Sequence, residues 1–168
     1  MSIAEALLPE FDTEFADTRK FLALVPNDKL TWKPHEKSME LGKLAWHLSD
    51  FSGWGTDAFK KDVLEYKSEN ATNMANEWKD KTREKMLERF DTNFRIAREA
   101  LWSISDEKWP QRWRMVWDGR VFIDETRMNV YRKWVMSHMV HHRAQLGLYL
   151  HLNEIAIPEL YGPSANGK

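Results

Sequence analysis

A mainly α-helical four-helix bundle with a short β-hairpin before the last helix is the fold this sequence predicts, on three observations. Apolar residues recur at three- and four-residue steps through long segments. A single Asp-Gly pair, Asp118-Gly119, sits between alternating runs. Pro26 and polar stretches punctuate the periodic segments.

Taken in order, residues 3 to 25 place Leu7, Phe11, Phe15, Leu22 and Val25 on one face of an amphipathic helix, which Pro26 stops. Pro26 to Met39 is expected to be an ordered loop, with Ser38 as cap of the next helix and Glu40 near its positive end. The second helix carries Leu41, Leu44, Leu48 and Phe51 on one stripe. Gly53 and Gly55 around Trp54 predict a break, and Asp57 to Tyr66 a short further helical piece. Residues 67 to 76 are polar and without period, hence loop.

The third helix is expected from Glu77 to Ile104, where Leu87, Phe90, Phe94, Ala97, Leu101 and Ile104 form a bundle seam. Trp113, Met115 and Trp117 then alternate with Arg112, Arg114 and Val116 ahead of Asp118-Gly119, with Val121 and Ile123 beyond: a hairpin. The fourth helix, Glu125 to Asn153, has Arg143 as its only formal charge after Trp134. Such a helix is buried on several sides, in the bundle or against another subunit, and predicts a homodimer.

The length of 168 residues suits one domain spanning 1–168, able to bury roughly two-thirds of its unfolded surface. There is no cysteine, which removes disulfides, thiolate metal sites and cysteine nucleophiles and fits a reducing, cytoplasmic setting. With 25 basic and 26 acidic residues there is no electrostatic footprint for nucleic acid or anionic lipid. The start, MSIAEALLPEFDTEF, lacks the basic and apolar runs of a signal peptide, and histidines, Gln145 and Arg143 interrupt the longest weakly charged stretch, so no membrane span is expected. Nine tryptophans, eight phenylalanines and eight methionines predict a bulky core, with an aromatic-lined pocket as the other use of such rings.

Six histidines remain to be explained: His35, His47, His138, His141, His142 and His151. His138 and His142, four apart on one helix, project from the same face and can direct two ring nitrogens at one ion. Their stripe comprises Tyr131, Trp134, His138, His142, Gln145 and Tyr149. A zinc protease would place Glu after the first histidine, where this sequence has Met139. Two imidazoles leave a metal under-coordinated, and His47, within LAWHLSDF, is the best third ligand. The competing reading is that these are core-edge histidines held by hydrogen bonds. His141 is turned about 100° from its neighbour around the helix and is set aside, as is His151.

Three stretches carry a resemblance to a known family: LTWKPHEKSMELGKLAWHLSDF at 30–51, SHMVHHRAQLGLYLHLNEIAIPELYGPSA at 137–165 and, more weakly, WDGR at 117–120. In these the sequence resembles the DinB-like superfamily, also called the DinB/YfiT-like metalloenzymes. The resemblance implies a four-helix bundle, commonly dimeric, with one divalent metal ion, zinc or nickel, on three histidines, here His47, His138 and His142. Ala144 stands where the family often has glycine after the Arg, which leaves the ligand spacing intact. It further implies a metal-dependent transferase using a low-molecular-weight thiol or other small-molecule substrate, with a hydrolase as the other reaction type. The alternative is a non-catalytic dimeric metal- or ligand-binding protein with a stress-related role. Arg143 is the candidate anion contact, with a salt bridge or surface charge beside the buried face as the equal alternative, His35 a candidate at the pocket mouth, and Asp50 a candidate partner for an imidazole N–H.

Overall fold

The computed structural model describes residues 1–68 and 77–162. Helix α1 spans Ile3–Leu22 and begins with a reciprocal cap, in which Ser2 Oγ accepts from the Glu5 backbone N–H while Glu5 accepts from the Ser2 N–H. It ends three residues earlier than its apolar period suggests. Leu24 and Val25 donate to carbonyls only three residues back, a tightening that precedes Pro26.

Helix α2 is Leu41–Leu48 and α3 is Phe51–Lys60. Ser38 does not cap α2. The N–H groups of Leu41 and Gly42 donate instead to the Trp32 and Leu30 carbonyls, at 2.8 Å each, so the preceding loop itself satisfies the helix start. The break between the two helices falls at Ser49–Asp50 rather than at the glycines, since Gly53 and Gly55 lie inside α3. There the Ser49 hydroxyl bonds the Trp46 carbonyl at 2.7 Å, a local side-chain bond that competes with the helix ladder.

Val63–Tyr66 is a strand, β1, where the sequence suggests more helix. It pairs parallel with β2, Arg112–Trp117, which pairs antiparallel with β3, Arg120–Thr126. The expected hairpin is therefore part of a three-stranded sheet in the order β1-β2-β3. Asp118 and Gly119 both have positive φ, 46° and 77°, the turn whose twist suits a two-residue hairpin. The loop expectation for residues 67 to 76 lies almost wholly outside the described residues.

Helix α4 is Arg83–Ser103, capped by the Thr82 side chain; Glu77–Asp80 is a separate 3-10 turn. The last helix, α5, has three stretches: an α turn Arg127–Asn129, a π stretch Val130–Ser137 and an α stretch His138–Leu152. The π stretch ends at the first of the paired histidines. Its i→i+5 bonding widens the turns there, so uniform helical periodicity does not describe this segment.

The bundle core forms where α1 meets α4 and α5. Phe11 and Phe15 pack against Phe90 and Phe94, with the Phe11 and Phe94 rings stacked at 5.6 Å. Leu41, Leu44, Leu48 and Phe51 from α2 and α3 are buried in the same cluster. Each fully buried side chain of this kind contributes roughly 1.5–3 kcal/mol before entropy is set against it. A smaller cluster of Ala58, Leu64, Trp113, Met115, Ile123 and Val130 fastens the sheet to α3 and α5. Arg127, buried, donates to the Ala58 and Lys61 carbonyls and to Asp62, which ties the start of α5 to the end of α3. No helix among the described residues is long and apolar enough to cross a membrane.

Candidate metal centre

His47 sits in the last turn of α2, and His138 and His142 occupy successive turns of α5. Packing of α2 on α5 brings the three rings together. Their centroids lie 4.9 Å (His47 to His142), 5.6 Å (His47 to His138) and 4.7 Å (His138 to His142) apart. One ring nitrogen from each falls within 4.8 Å of the other two. Phe51, Trp54 and Trp134 pack edge-on or tilted against these rings and limit water around them.

The donor atoms suit a shared cation. Gln145 Oε1 lies 2.6 Å from His142 Nδ1, so that nitrogen carries the proton and Nε2 presents its lone pair. His142 Nε2 is 2.9 Å from His138 Nε2. If His138 carries its proton on Nε2, its buried Nδ1 is an acceptor without a donor; if on Nδ1, two lone pairs face each other. The Trp134 carbonyl, one turn back, favours the charged ring slightly but misses hydrogen-bond geometry with Nδ1. Two nitrogens each about 2.05 Å from one ion stand about 2.9 Å apart at a right angle and about 3.3 Å apart at the tetrahedral angle. The observed spacing falls at the lower of these. The residues fit a divalent ion held by imidazole nitrogen.

Electrostatics keeps the rings neutral. Burial lowers the pKa of His47 to about 3, helped by His142, His138, Arg89 and Lys43 nearby. Burial, then His142 and His141, lowers His138 to about 4. His142 is lowered too, chiefly by burial, against the opposing effect of the hydrogen bond it donates to Gln145. Neutral imidazole is the form that coordinates metal.

His47 also forms part of the wall of a cavity of about 660 Å³ between α2, α3, α4 and the sheet. Trp46, Trp54, Trp117, Trp134, Tyr66 and Phe122 supply much of its apolar surface. The tryptophans thus serve both uses: Trp109 and Trp113 are core, while these four indoles face the cavity.

The other candidates lie elsewhere. Arg143 is 2 % exposed and paired with Glu14 of α1 at 2.7 Å, and it also bonds Thr18 and Tyr161. It is a bundle ion pair, turned to α1 by the helical rotation of one residue from His142, and not an anion contact at the histidines. His35 is exposed in the loop before α2, where its Nδ1 accepts from the Lys37 N–H, and it does not line the cavity. Asp50 lines the cavity but is taken up by Arg89 at 2.9 Å and Asn93 at 3.2 Å, with no hydrogen bond to an imidazole. His141 and His151 are exposed rather than at the core edge. Gln145 is the residue whose role the sequence reading missed. Its position three residues after His142, on the same stripe, was the available signal. Arg89, stacked 4.0 Å over the Trp46 ring, was invisible to local reading because its partners come from α2 and the α2–α3 junction.

Fold and site together define a class: a helical bundle with three converging imidazoles beside an aromatic cavity. The chain belongs to the DinB family, whose model matches residues 1–166. Its fold is similar to the crystal structure of a DinB-like protein from Bacillus subtilis, with 15% identity, a TM-score of 0.68, and coverage of 92% of this chain and 96% of that one. It is equally similar to a DinB-like protein from Bacillus cereus, with 16% identity, a TM-score of 0.67, and coverage of 95% and 98%. No curated protein matches the chain.

Proposed function

We propose that this DinB family member binds one divalent metal ion, zinc or nickel, through His47, His138 and His142, and acts as a metal-dependent transferase on a small-molecule thiol. The observation that carries the reading is the meeting of three neutral imidazole donors from α2 and α5, within 4.8 Å, at a cavity wall. A divalent ion bound by neutral imidazoles keeps its double positive charge and lowers the pKa of a thiol or water next to it. The chain's own residues do the rest. Gln145 holds His142 in the coordinating tautomer, and Phe51, Trp54 and Trp134 keep bulk water from the rings. The sequence has no cysteine, so the thiolate comes from the substrate.

A second reading, a metal- or ligand-binding protein without turnover, is favoured by the engagement of Asp50. The acid nearest in sequence to His47 is occupied by Arg89 and Asn93, which leaves it unsuited as a general base. On α5, Leu148 and Leu152 are 57% and 51% exposed one turn apart, which supports a homodimer through this face.

Elemental analysis of untagged protein tests the metal. Stoichiometric zinc or nickel, lost in His142→Ala, is the expected result, and metal-free protein with intact fold refutes it. Metal-dependent consumption of monochlorobimane across a panel of cellular thiols separates the two readings: no turnover with any of them favours binding alone.

A further inference from the structure

The cavity beside His47 has a chemical character of its own. Its volume, about 660 Å³, is that of a small-molecule site rather than a water channel to an ion. Its aromatic surface comes from four separate parts of the fold: Trp46 and Trp54 from α2 and α3, Trp78 from the 3-10 turn, Trp134 from α5, and Tyr66, Trp117 and Phe122 from the sheet. Trp46, Tyr66 and Trp134 also pack partly against the core; Trp117 and Phe122 are the more open rings. Phe122 is 65% exposed and Trp117 39% exposed, yet both lie at the cavity, where aromatic surface left open to solvent is what a ligand would cover.

The charges around it are uneven in availability. Four charged side chains line the cavity: Lys43, Arg89, Asp50 and Glu77. Arg89 and Asp50 are paired with each other, and the Glu77 carboxylate accepts from Trp46 Nε1 at 3.3 Å. Lys43, among the described residues, has no hydrogen bond or ion pair. It stands one helical turn before His47 on the same face of α2, so its ammonium is an open cation on the wall that leads to the histidines. An open cation beside indole rings, Trp46 excepted because Arg89 covers its face, is complementary to a ligand with a flat aromatic body and an anionic substituent. The body lies on the rings, and the anion meets Lys43.

We propose that the cavity recognises an aromatic anion, an aryl carboxylate or a close analogue, through the indole wall and Lys43. This deepens the preceding reading by naming the class of the molecule brought to the histidines, and rests on that reading for the purpose of the cavity, though not for the binding itself.

The test is titration of the protein with 2-naphthoate, its saturated analogue decahydro-2-naphthoate, and 2-naphthylmethylamine, followed by tryptophan fluorescence and calorimetry. Metal-loaded protein, chelator-treated protein and the His142→Ala variant are compared. The expected result is that 2-naphthoate binds at least tenfold more tightly than either analogue, with or without metal. Lys43→Glu, an exposed substitution that circular dichroism should show to be folded, weakens naphthoate several-fold and strengthens the amine. Equal binding of the saturated acid, indifference to Lys43→Glu, or no naphthoate binding overturns the proposal. Binding only to metal-loaded protein also overturns it, because the carboxylate is then held by the ion; that outcome leaves the metal reading standing. Metal-free protein that binds naphthoate in a Lys43-dependent way has the reverse meaning, supporting the aromatic-anion site while the metal reading fails.

Discussion

Arg143 Nη2 lies 2.7 Å from Glu14 Oε2, joining α5 to α1 across 129 residues of sequence. The pair is nearly closed to solvent, with side chains 3% and 16% exposed, and Tyr161 O–H donates to the same carboxylate at 2.8 Å. Removing one partner strands the other charge, and this governs the first expectation. Arg143→Ala should lose about 3–5 kcal/mol of stability, read as a lowered urea midpoint. Zinc uptake by the folded fraction should remain at the wild-type ratio, since the guanidinium faces α1 rather than the histidines.

Gln145 offers a finer test of the metal centre than removal of a ligand. It touches only the outer nitrogen of His142, so Gln145→Leu should leave the protein folded and still able to bind zinc. Affinity measured by competition with a chromophoric chelator should fall by about 10- to 100-fold. An unchanged affinity would show that the hydrogen bond does not orient the ring.

Acidification of metal-free protein should be destabilising in a defined window. All three imidazoles have pKa values below the ordinary 6.5, to about 3 for His47 and about 4 for His138. As pH falls below 6.5, the unfolded chain takes up protons that the folded chain refuses. The contribution is therefore whole above pH 6.5, declines as pH drops towards 4, and is gone below about 3. Urea midpoints collected in chelator across this range should decline less steeply in His47→Phe than in wild type.

Gly147 lets α5 pack tightly on Phe21 of α1. A Cβ there would meet Phe21 Cε1 at 2.8 Å, and Phe21 is itself buried. Gly147→Ala should lower stability by about 1–3 kcal/mol, against the gain that alanine ordinarily brings to a helix. A stabilised variant would mean that Phe21 moves aside freely.

The dimer proposal turns on Leu148 and Leu152. Sedimentation at micromolar concentration should give a two-fold species for wild type and a monomer for the double variant Leu148→Lys, Leu152→Lys. A wild-type monomer would remove the proposal.

Local signals account for what could be read without coordinates. The periods of α1 and α4 and the Asp118-Gly119 turn are properties of neighbouring residues, and so is the four-residue spacing of His138 and His142. Each is present in the structure, with α1 ending three residues early and α4 starting at Arg83 rather than Glu77. Of three failures, the first and last come from partners far along the chain. Val63–Tyr66 became a strand because β2, some fifty residues later, offered it a ladder of hydrogen bonds. The break after α2 fell at Ser49–Asp50 because the Ser49 hydroxyl and its surroundings outweighed the glycines' weak preference. Arg143 found Glu14, which no window around either residue could reveal.

The sequence by itself determined a helical bundle and the pair of imidazoles on α5, because helical periodicity acts within a turn or two of chain. Only the tertiary structure decided how close His47 comes to that pair, that Gln145 sets the tautomer of His142, and that tryptophans from α2, α3, α5 and the sheet enclose one cavity. These depend on packing between segments far apart in the chain, where burial and long-range pairing, rather than local preference, select the arrangement.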